Sequence, residues 1–187
     1  MKTSITRTFK FNATTLTLVL ASLSAMAAPP PNAAPFNLEI GTATCDAARA
    51  KLGRVDESKL GGTDVLLTAK NPSALYDGAS AATVRCSEGR VIAVQIEASK
   101  GGMGNVEARD VFAGLSKKYK LVAGGPMPQL GNGYARFQSG NTVIEQEAPH
   151  LSFEFTLTYF EKSFYESLVA SSKDKEKKAA DKKQSSL

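Results

Sequence analysis

The sequence predicts an α+β fold: a single antiparallel sheet of about six strands, with two or three helices packed on one face of that sheet. Two observations predict it. Short segments that alternate apolar and polar residues recur along the chain, separated by turn residues, as in an antiparallel meander. Other segments carry apolar residues three, four and seven positions apart, as on one face of a helix.

The strongest strand pattern is that of residues 151–160, LSFEFTLTYF. Its large apolar residues alternate with Ser, Glu and Thr, so in a strand they share one face. They are Leu151, Phe153, Phe155, Leu157 and Tyr159. A helix would scatter these side chains around its axis, and we therefore expect a half-buried strand around which the core is built.

Residues 1–27 have the organisation of a secretory signal peptide. Three basic residues and no acid stand in the first ten positions, an apolar run follows at 13–23, and Ala25 and Ala27 provide the small side chains of a cleavage site. The apolar run is shorter than the ~20 residues that span a bilayer, and no Cys that could carry a lipid lies near the site. We expect cleavage after Ala27, a periplasmic or secreted protein, and no transmembrane segment after cleavage.

The mature chain divides into three parts. Residues 28–35, APPPNAAP, form a Pro-rich leader of extended backbone. The α+β domain occupies residues 36–170, and residues 171–187 are a Lys-rich tail without an apolar stripe. We expect this tail to be a solvated, frayed helix or a disordered end, and contact with an anionic surface is the alternative.

Spacing and turn residues place the elements of the domain. Strands are predicted at 36–40, 65–69, 81–86, 90–98, 134–138, 142–147 and 151–160. Helices are predicted at 45–52, 106–119 and 161–171. Thr42 or Thr44 is expected to cap the first helix, and Asn105 the second. In the last helix Phe164 and Leu168, with Tyr165 beside them, are expected to face the core. A helix followed by three strands occurs at 42–98 and again at 105–160, which suggests an internal duplication.

Turn geometry decides which side chains share a face. In the hairpin of 81–86 and 90–98, a three-residue loop, Ser87-Glu88-Gly89, places on one face Ala82, Val84, Cys86, Ile92, Val94 and Ile96. In the C-terminal meander, loops at 139–140 and 149–150 place on the core face Ala135, Phe137, Ile144 and Phe153.

The opposite, outer face of the C-terminal meander is the candidate interaction surface. It carries Tyr134, Arg136, Glu145, Glu147 and Glu154. Tyr and Arg are over-represented at binding hot spots, and the carboxylates suit a basic partner. A solvated polar face without any partner is the alternative.

The net charge of +5 would suggest an anionic partner if the excess basic residues lay on the folded domain. The signal peptide and the tail hold much of it, since the tail alone has six Lys against three acids, and 14 basic and 15 acidic residues remain between them. A groove for nucleic acid needs its cations on the folded body. The sequence therefore predicts no nucleic-acid partner.

Residues for catalysis and metal binding are sparse. The only His is His150, and the chain has no G-x-S-x-G elbow; one His and two distant Cys also lack the spacing of a zinc site. Two of the carboxylates of Glu145, Glu147 and Glu154 could in principle serve as the acid and base of a glycosidase. A solvated sheet face with cross-strand charge pairs is the preferred interpretation. The sequence predicts no catalytic residue, no metal and no cofactor.

Cys45 and Cys86 are predicted to form a disulfide. Export places them in an oxidising compartment, and an even pair without a metal or nucleophile context is most simply a bridge. Cys45 lies on the inward face of the first helix, and Cys86 shares the core face of its strand with Val84. Two free buried thiols are the alternative.

Several short segments resemble those of small exported bacterial proteins. They are Phe36-Asn37-Leu38-Glu39-Ile40-Gly41, Leu52-Gly53, Ser87-Glu88-Gly89-Arg90-Val91 and Lys117-Lys118-Tyr119. More remotely, the order of elements looks like the helix-then-meander fold of β-lactamase-inhibitor proteins and of the small lipoproteins of the outer-membrane assembly machinery. The resemblance implies a non-enzymatic binding role in the envelope, with an envelope protein or a cell-wall component as partner. The alternative is an envelope or cell-wall-associated hydrolase.

Overall fold

The computed structural model describes residues 30–102 and 104–184, and the predicted signal peptide lies outside the described residues. The described part is an α+β fold with one antiparallel sheet and three helices, as the sequence predicts. The helices are α1 (Cys45–Leu52), α2 (Val106–Lys118) and α3 (Lys162–Gln184). The strands are β1 (Val55–Gly61), β2 (Asp64–Ala69), β3 (Ala79–Ser87), β4 (Arg90–Ser99), β5 (Lys120–Gly124), β6 (Gly133–Ser139), β7 (Thr142–Ala148) and β8 (Glu154–Glu161).

The sheet of the described residues has eight strands, more than the six or so predicted, in the order β1-β2-β3-β4-β8-β7-β6-β5. The strands that the sequence did not indicate, β1 and β5, form its two edges and are largely exposed. An edge strand that buries little carries no alternating apolar face, so the strand signal is missing. β1 presents Asp56, Glu57 and Lys59, and β5 is interrupted by a bulge between Leu121 and Ala123. Both features discourage edge-to-edge pairing.

The strand predicted at 36–40 is wrong. Phe36 lies in a 3-10 turn with a φ of 56°. Leu38 and Ile40 are buried in alternation, but the N–H of Ile40 donates to the carbonyl of Ala33 at 3.1 Å. The alternating pattern therefore reflects the burial of two side chains on the core without a partner strand.

The two halves of the sheet have the same organisation. α1 followed by β1 to β4 makes one half, and α2 followed by β5 to β8 makes the other. They meet where β4 pairs antiparallel with β8, from Ala93 opposite Phe160 to Ser99 opposite Glu154. The strand order is thus symmetric about the β4–β8 pair, and each half consists of a helix with four strands instead of the predicted three.

The core lies between α1, α2 and one face of the sheet, which we call the inner face. Its largest members include Leu52, Leu67, Val84, Ile96, Phe137, Ile144, Phe155 and Leu157. Phe112 of α2 packs on Phe137 of β6 with ring centroids 5.5 Å apart. The second helix therefore buries its apolar stripe as the sequence predicts.

The third helix lies on the opposite, outer face, so the prediction that all helices cover one face is wrong. The reason is Phe160, whose side chain points outward at the end of β8 and contacts the rings of Phe164 and Tyr165. α3 also continues to Gln184, and its described side chains from residue 171 onward are exposed. No helix among the described residues is both long enough and apolar enough to cross a membrane.

The β3–β4 hairpin has a two-residue turn in place of the predicted three-residue loop. Glu88 and Gly89 both have positive φ, 50° and 75°, as in a type I′ turn. A bulge then places Cys86 opposite Val91, so Val91 takes the core position predicted for Ile92. The core face of the hairpin consists of Ala82, Val84, Cys86, Val91, Val94 and Ile96.

Strand β8 begins at Glu154, later than predicted. Phe155, Leu157 and Tyr159 are buried as expected, but Leu151 and Phe153 are 89% and 65% exposed. Because β7 ends at Ala148, residues 149–153 have no partner strand and form a loop beyond the end of the sheet. The two exposed side chains are therefore not part of the core.

Cys45 of α1 and Cys86 of β3 are both buried and lie side by side. The fold thus brings the predicted pair together, and the bond itself stays a prediction.

We expect thiol titration of the unfolded, unreduced protein to find no reactive group. The bridge would close a loop of about 41 residues, for which chain entropy gives on the order of 4 kcal/mol of stability, so reduction should lower the free energy of unfolding by about that amount. Burial raises the pKa of the Cys86 thiol to about 12, and both cysteines are buried, so the titration is carried out on the unfolded protein. Finding two thiols after unfolding would refute the bridge.

Candidate functional site

The predicted binding residues of β6 and β7 lie on the outer face, as predicted, although the register differs from the predicted one. Arg136 stands directly opposite Glu145, and Tyr134 stands opposite Glu147. The turn between these strands is centred one residue later than predicted, at 140–141. That shift preserves which side chains share a face.

Glu145 is the centre of a hydrogen-bonded cluster. Its Oε1 accepts a bond from the Tyr134 hydroxyl at 2.8 Å, from Arg136 Nε at 3.0 Å and from the Tyr165 hydroxyl at 3.0 Å. The Glu145 side chain is only 18% exposed, so these donors replace water as its partners. We call these four residues the Glu145 cluster; it joins β6, β7 and the start of α3.

Aromatic rings and two guanidinium groups hold the first two turns of α3 on the sheet. The Phe160 ring lies 5.5 Å from that of Tyr165 and 6.3 Å from that of Phe164, between centroids. Arg136 lies 5.0 Å from the centre of the Tyr165 ring, and Arg85 of β3 lies 4.6 Å from that of Phe164. Each half of the sheet therefore contributes one cation–π contact to the same helix.

The surroundings of the cluster keep its donors protonated at neutral pH. Burial, and then the bond to Glu145, raises the pKa of the Tyr134 hydroxyl, and the same two causes raise the pKa of Tyr165. Burial lowers the pKa of Arg136, but its bond to Glu145 and the neighbouring hydroxyls outweigh burial and raise it overall. All three groups can therefore donate to the carboxylate.

The remaining predicted residues are outside the cluster. Glu147 and Glu154 are exposed, and Glu154 begins β8 opposite Ser99, at the other end of the strand from α3. Glu145 is bonded to three donors, so these carboxylates do not face one bond as a glycosidase pair would. His150 is exposed in the β7–β8 loop, and within residues 30–102 and 104–184 no group of His, Cys, Asp and Glu could hold a metal ion.

A groove of about 260 Å³ separates α3 from the outer face of the first half of the sheet. Its apolar lining is Leu60, Leu66, Ala93, Phe160, Phe164 and Leu168. Arg85, Gln95 and two threonines supply its polar groups. Leu60 and Leu168 are 47% and 38% exposed, so the groove is open between them. We call it the α3 groove.

Sequence reasoning missed Tyr165, which was expected to face the core. A signal for its position existed, because Phe160 falls on the face of β8 that otherwise carries Glu154, Thr156 and Thr158. A large aromatic ring on a polar strand face is stabilised when another element packs over it and removes it from water. The helix that follows immediately is the segment best placed to provide it.

No family model matches the chain, and neither a curated protein nor a solved structure matches it. The resemblance to exported proteins and to the inhibitor and lipoprotein folds therefore stays a prediction.

Replacing Tyr165 by Phe should lower the free energy of unfolding by about 1 kcal/mol, because a bond to a charged group is worth roughly 1.5–3 kcal/mol and this one is partly solvated. Urea unfolding measures the change, and hydrogen exchange should show faster exchange in the first turns of α3. Tyr119→Phe is the control, since the Tyr119 hydroxyl bonds to none of the described residues; its change should stay below ~0.5 kcal/mol. Equal changes in both variants would contradict the anchoring role.

Stability should fall at alkaline pH. Burial is the first cause that raises the pKa of every tyrosine, namely Tyr76, Tyr119, Tyr134, Tyr159 and Tyr165. A raised pKa in the folded state contributes stability that is complete below the unfolded value of about 10 and is lost as pH rises through the folded value. Tyrosinate absorbance should therefore appear only as the protein unfolds above about pH 10. Titration near that value in the folded protein would contradict this account.

Proposed function

We propose that this protein is an exported, non-enzymatic binding protein of the bacterial envelope, and that the α3 groove is its binding site. The observation that carries the proposal is an apolar groove that stays open on the outer face beside a helix fixed by the Glu145 cluster. An apolar concavity with a few polar groups is the usual form of a binding site.

The size of the α3 groove favours a segment of a protein as ligand. Small-molecule sites commonly enclose roughly 300–1,000 Å³, whereas this groove offers about 260 Å³ and is open between Leu60 and Leu168. Such a space suits one or two apolar side chains of a partner chain. An envelope protein is therefore a better candidate than a free small ligand or a cell-wall sugar.

The polar side of the groove suits a backbone carbonyl or a carboxylate of the partner. Arg85 is held by Asp64 at 2.7 Å through one terminal nitrogen, while its Nε is buried without an acceptor among the described residues. The Arg85 side chain is 31% exposed, so the accessible part of its guanidinium can donate to an acceptor on the partner. Three leucines, Leu60, Leu66 and Leu168, provide the apolar contact.

The predicted interaction residues take two different roles in this proposal. Tyr134, Arg136 and Glu145 position α3 and so set the width of the groove. Glu147 and Glu154 are exposed on the outer face towards the end of the sheet away from the start of α3, where they are available to a basic part of the partner. The hydrolase alternative gains no support, because Glu145 already accepts three hydrogen bonds.

Export is part of the proposal and is supported by the organisation of residues 1–27. Cleavage after Ala27 would release a periplasmic or secreted protein that begins at Ala28. The adjacent position of Cys45 and Cys86 suits an oxidising compartment.

Photo-crosslinking in intact cells tests the binding site. A photoreactive residue at Leu168 or Leu66 should give discrete protein adducts, because both side chains line the groove. The matched control is Leu121, which is exposed on the edge strand β5. The intact mass of the periplasmic protein should correspond to a start at Ala28. Adducts that are as abundant from position 121 as from 168 would refute the site, and a mass that retains residues 1–27 would refute export.

A further inference from the structure

One end of the sheet exposes four large apolar side chains. They are Val106, Leu130, Leu151 and Phe153, which are 53%, 65%, 89% and 65% exposed. They lie in or next to the β4–α2, β5–β6 and β7–β8 connections, which the strand register places at the same end of the sheet. We call these four residues the apolar rim. Clustered exposed apolar residues generally mark an interaction surface.

Hydrogen bonds fix the three connections to one another. The backbone N–H of Lys100 donates to the carbonyl of Phe153 at 2.8 Å, and its buried Nζ donates to that of Pro149 at 2.6 Å. Asn105 is 2% exposed, and its Nδ2 donates to the carbonyl of Pro128 at 2.9 Å. Lys100 and Asn105 belong to the same connection, and each binds a different neighbour. The rim is therefore held as one unit, and little further ordering is needed for it to bind.

The rim belongs to the second half of the sheet. The first half joins its strands through the tight turns 62–63 and 88–89, whereas the corresponding connections 125–132 and 149–153 are longer. Leu130, Leu151 and Phe153 all lie in these longer connections. Binding residues are commonly found on loops that a rigid scaffold positions.

Three carboxylates border the rim. Glu107 follows Val106 in the first turn of α2, and Glu154 follows Phe153 at the start of β8. Glu147 lies one residue before the end of β7, where that strand leads into the β7–β8 connection. All three side chains are exposed, so their charges are available to a partner.

The cations around the rim do not balance these carboxylates. Lys100 is fully buried, and its ammonium group is bonded to the carbonyl of Pro149. Arg109 lies one turn after Val106 in α2, next to Asp110, and both charged side chains are exposed. Among the described residues around the rim, the exposed charge is therefore negative.

This combination of apolar and acidic groups decides the chemistry of the occupant. The apolar side chains gain from burial against a partner, and the carboxylates favour a partner that brings Lys or Arg to them. Two copies of the chain that met rim to rim would bring like charges together. Residues 171–187 of a second copy would supply cations, but they have no apolar stripe to cover the rim.

We propose that the apolar rim binds a segment of a protein partner that is both apolar and basic. The apolar side chains of this segment pack on the rim, and its Lys or Arg side chains pair with the bordering carboxylates of Glu107, Glu147 and Glu154. Burial of the apolar side chains supplies most of the affinity, whereas the charges set the orientation and the rate of association. This inference does not rest on the α3 groove, which has a different set of lining residues.

Parallel selections from a random peptide library displayed on ribosomes test the chemistry of the occupant. One bait is the chain from Ala28, which contains every described helix and strand. The other is the same chain with Leu151→Ser and Phe153→Ser, which should keep its fold because both side chains are exposed; urea unfolding checks this. Peptides enriched only by the first bait should combine Lys or Arg with large apolar residues. Acidic or uncharged peptides, or no peptide that distinguishes the baits, would overturn the proposal.

The affinity of one such peptide tests the role of the carboxylates. Replacing the three bordering acids by Gln should weaken binding about tenfold at low salt and remove most of its salt dependence. The matched control replaces by Gln three exposed acids elsewhere on the chain, which are Glu39, Glu88 and Glu176. The control should bind like the wild type. Equal losses in the two triple variants would contradict the pairing.

Tryptophan fluorescence reports where the peptide binds, because the chain contains no Trp. Leu130→Trp provides a probe in the rim, and Leu121→Trp provides a matched probe on the β5 edge. A selected peptide without Trp should shift the emission of the rim probe to the blue and leave that of the edge probe unchanged. An unshifted rim probe in the complex would overturn the proposal.

Two other occupants of the rim are distinguishable outcomes. Sedimentation could reveal a dimer that Leu151→Ser with Phe153→Ser abolishes and the peptide does not dissociate, which would make the rim a contact between two copies of the chain. Vesicles of phosphatidylglycerol could bind the wild type and not this variant, which would assign the rim to a bilayer. Either result would overturn the proposal.

Discussion

The antiparallel pairing of β4 with β8 is the constraint on which the rest of the structure depends. It joins two four-stranded halves into one sheet and places β8 at the middle of it. The helix that follows β8 must therefore start over the centre of a face. α1 and α2 already fill the inner face, so α3 packs on the outer one. Its position, and with it the α3 groove, follows from the order of the strands.

The two faces of the sheet are stabilised by different physics. The inner face buries aliphatic and aromatic side chains against α1 and α2, and area removed from water is the dominant gain there. The outer face holds α3 through a carboxylate with three donors and through cation–π contacts from Arg85 and Arg136. Such directional contacts fix the orientation of a helix more than they add to stability. The outer face is thus rigid where it carries the cluster and open where it does not.

The sequence predicts the elements that bury one apolar face. It does not predict elements that bury little surface, or positions whose burial depends on where a neighbouring strand ends. The strands β2, β3, β4, β6, β7 and β8 and the helices α1 and α2 follow from apolar periodicity. β1 and β5 escape prediction because edge strands have no buried stripe. Leu151 and Phe153 have the right parity for a core strand, but parity does not reveal where the neighbouring strand ends. The shared face of Tyr134, Arg136 and Glu145 is predictable from the alternation of residues, whereas their register and the position of Tyr165 depend on tertiary packing that a local pattern does not contain.

The two edges of the sheet carry a consequence for the chain while it folds. Charged residues on β1 and the bulge in β5 leave neither edge as a straight template for another strand. An unfolded chain meets other extended chains, and backbone hydrogen bonding between them is the common route to fibrils. With both edges irregular or charged, the finished sheet has a fixed width of eight strands. The same irregularity means that partners must recognise side chains on its faces and ends, because the backbone offers them no ladder to extend.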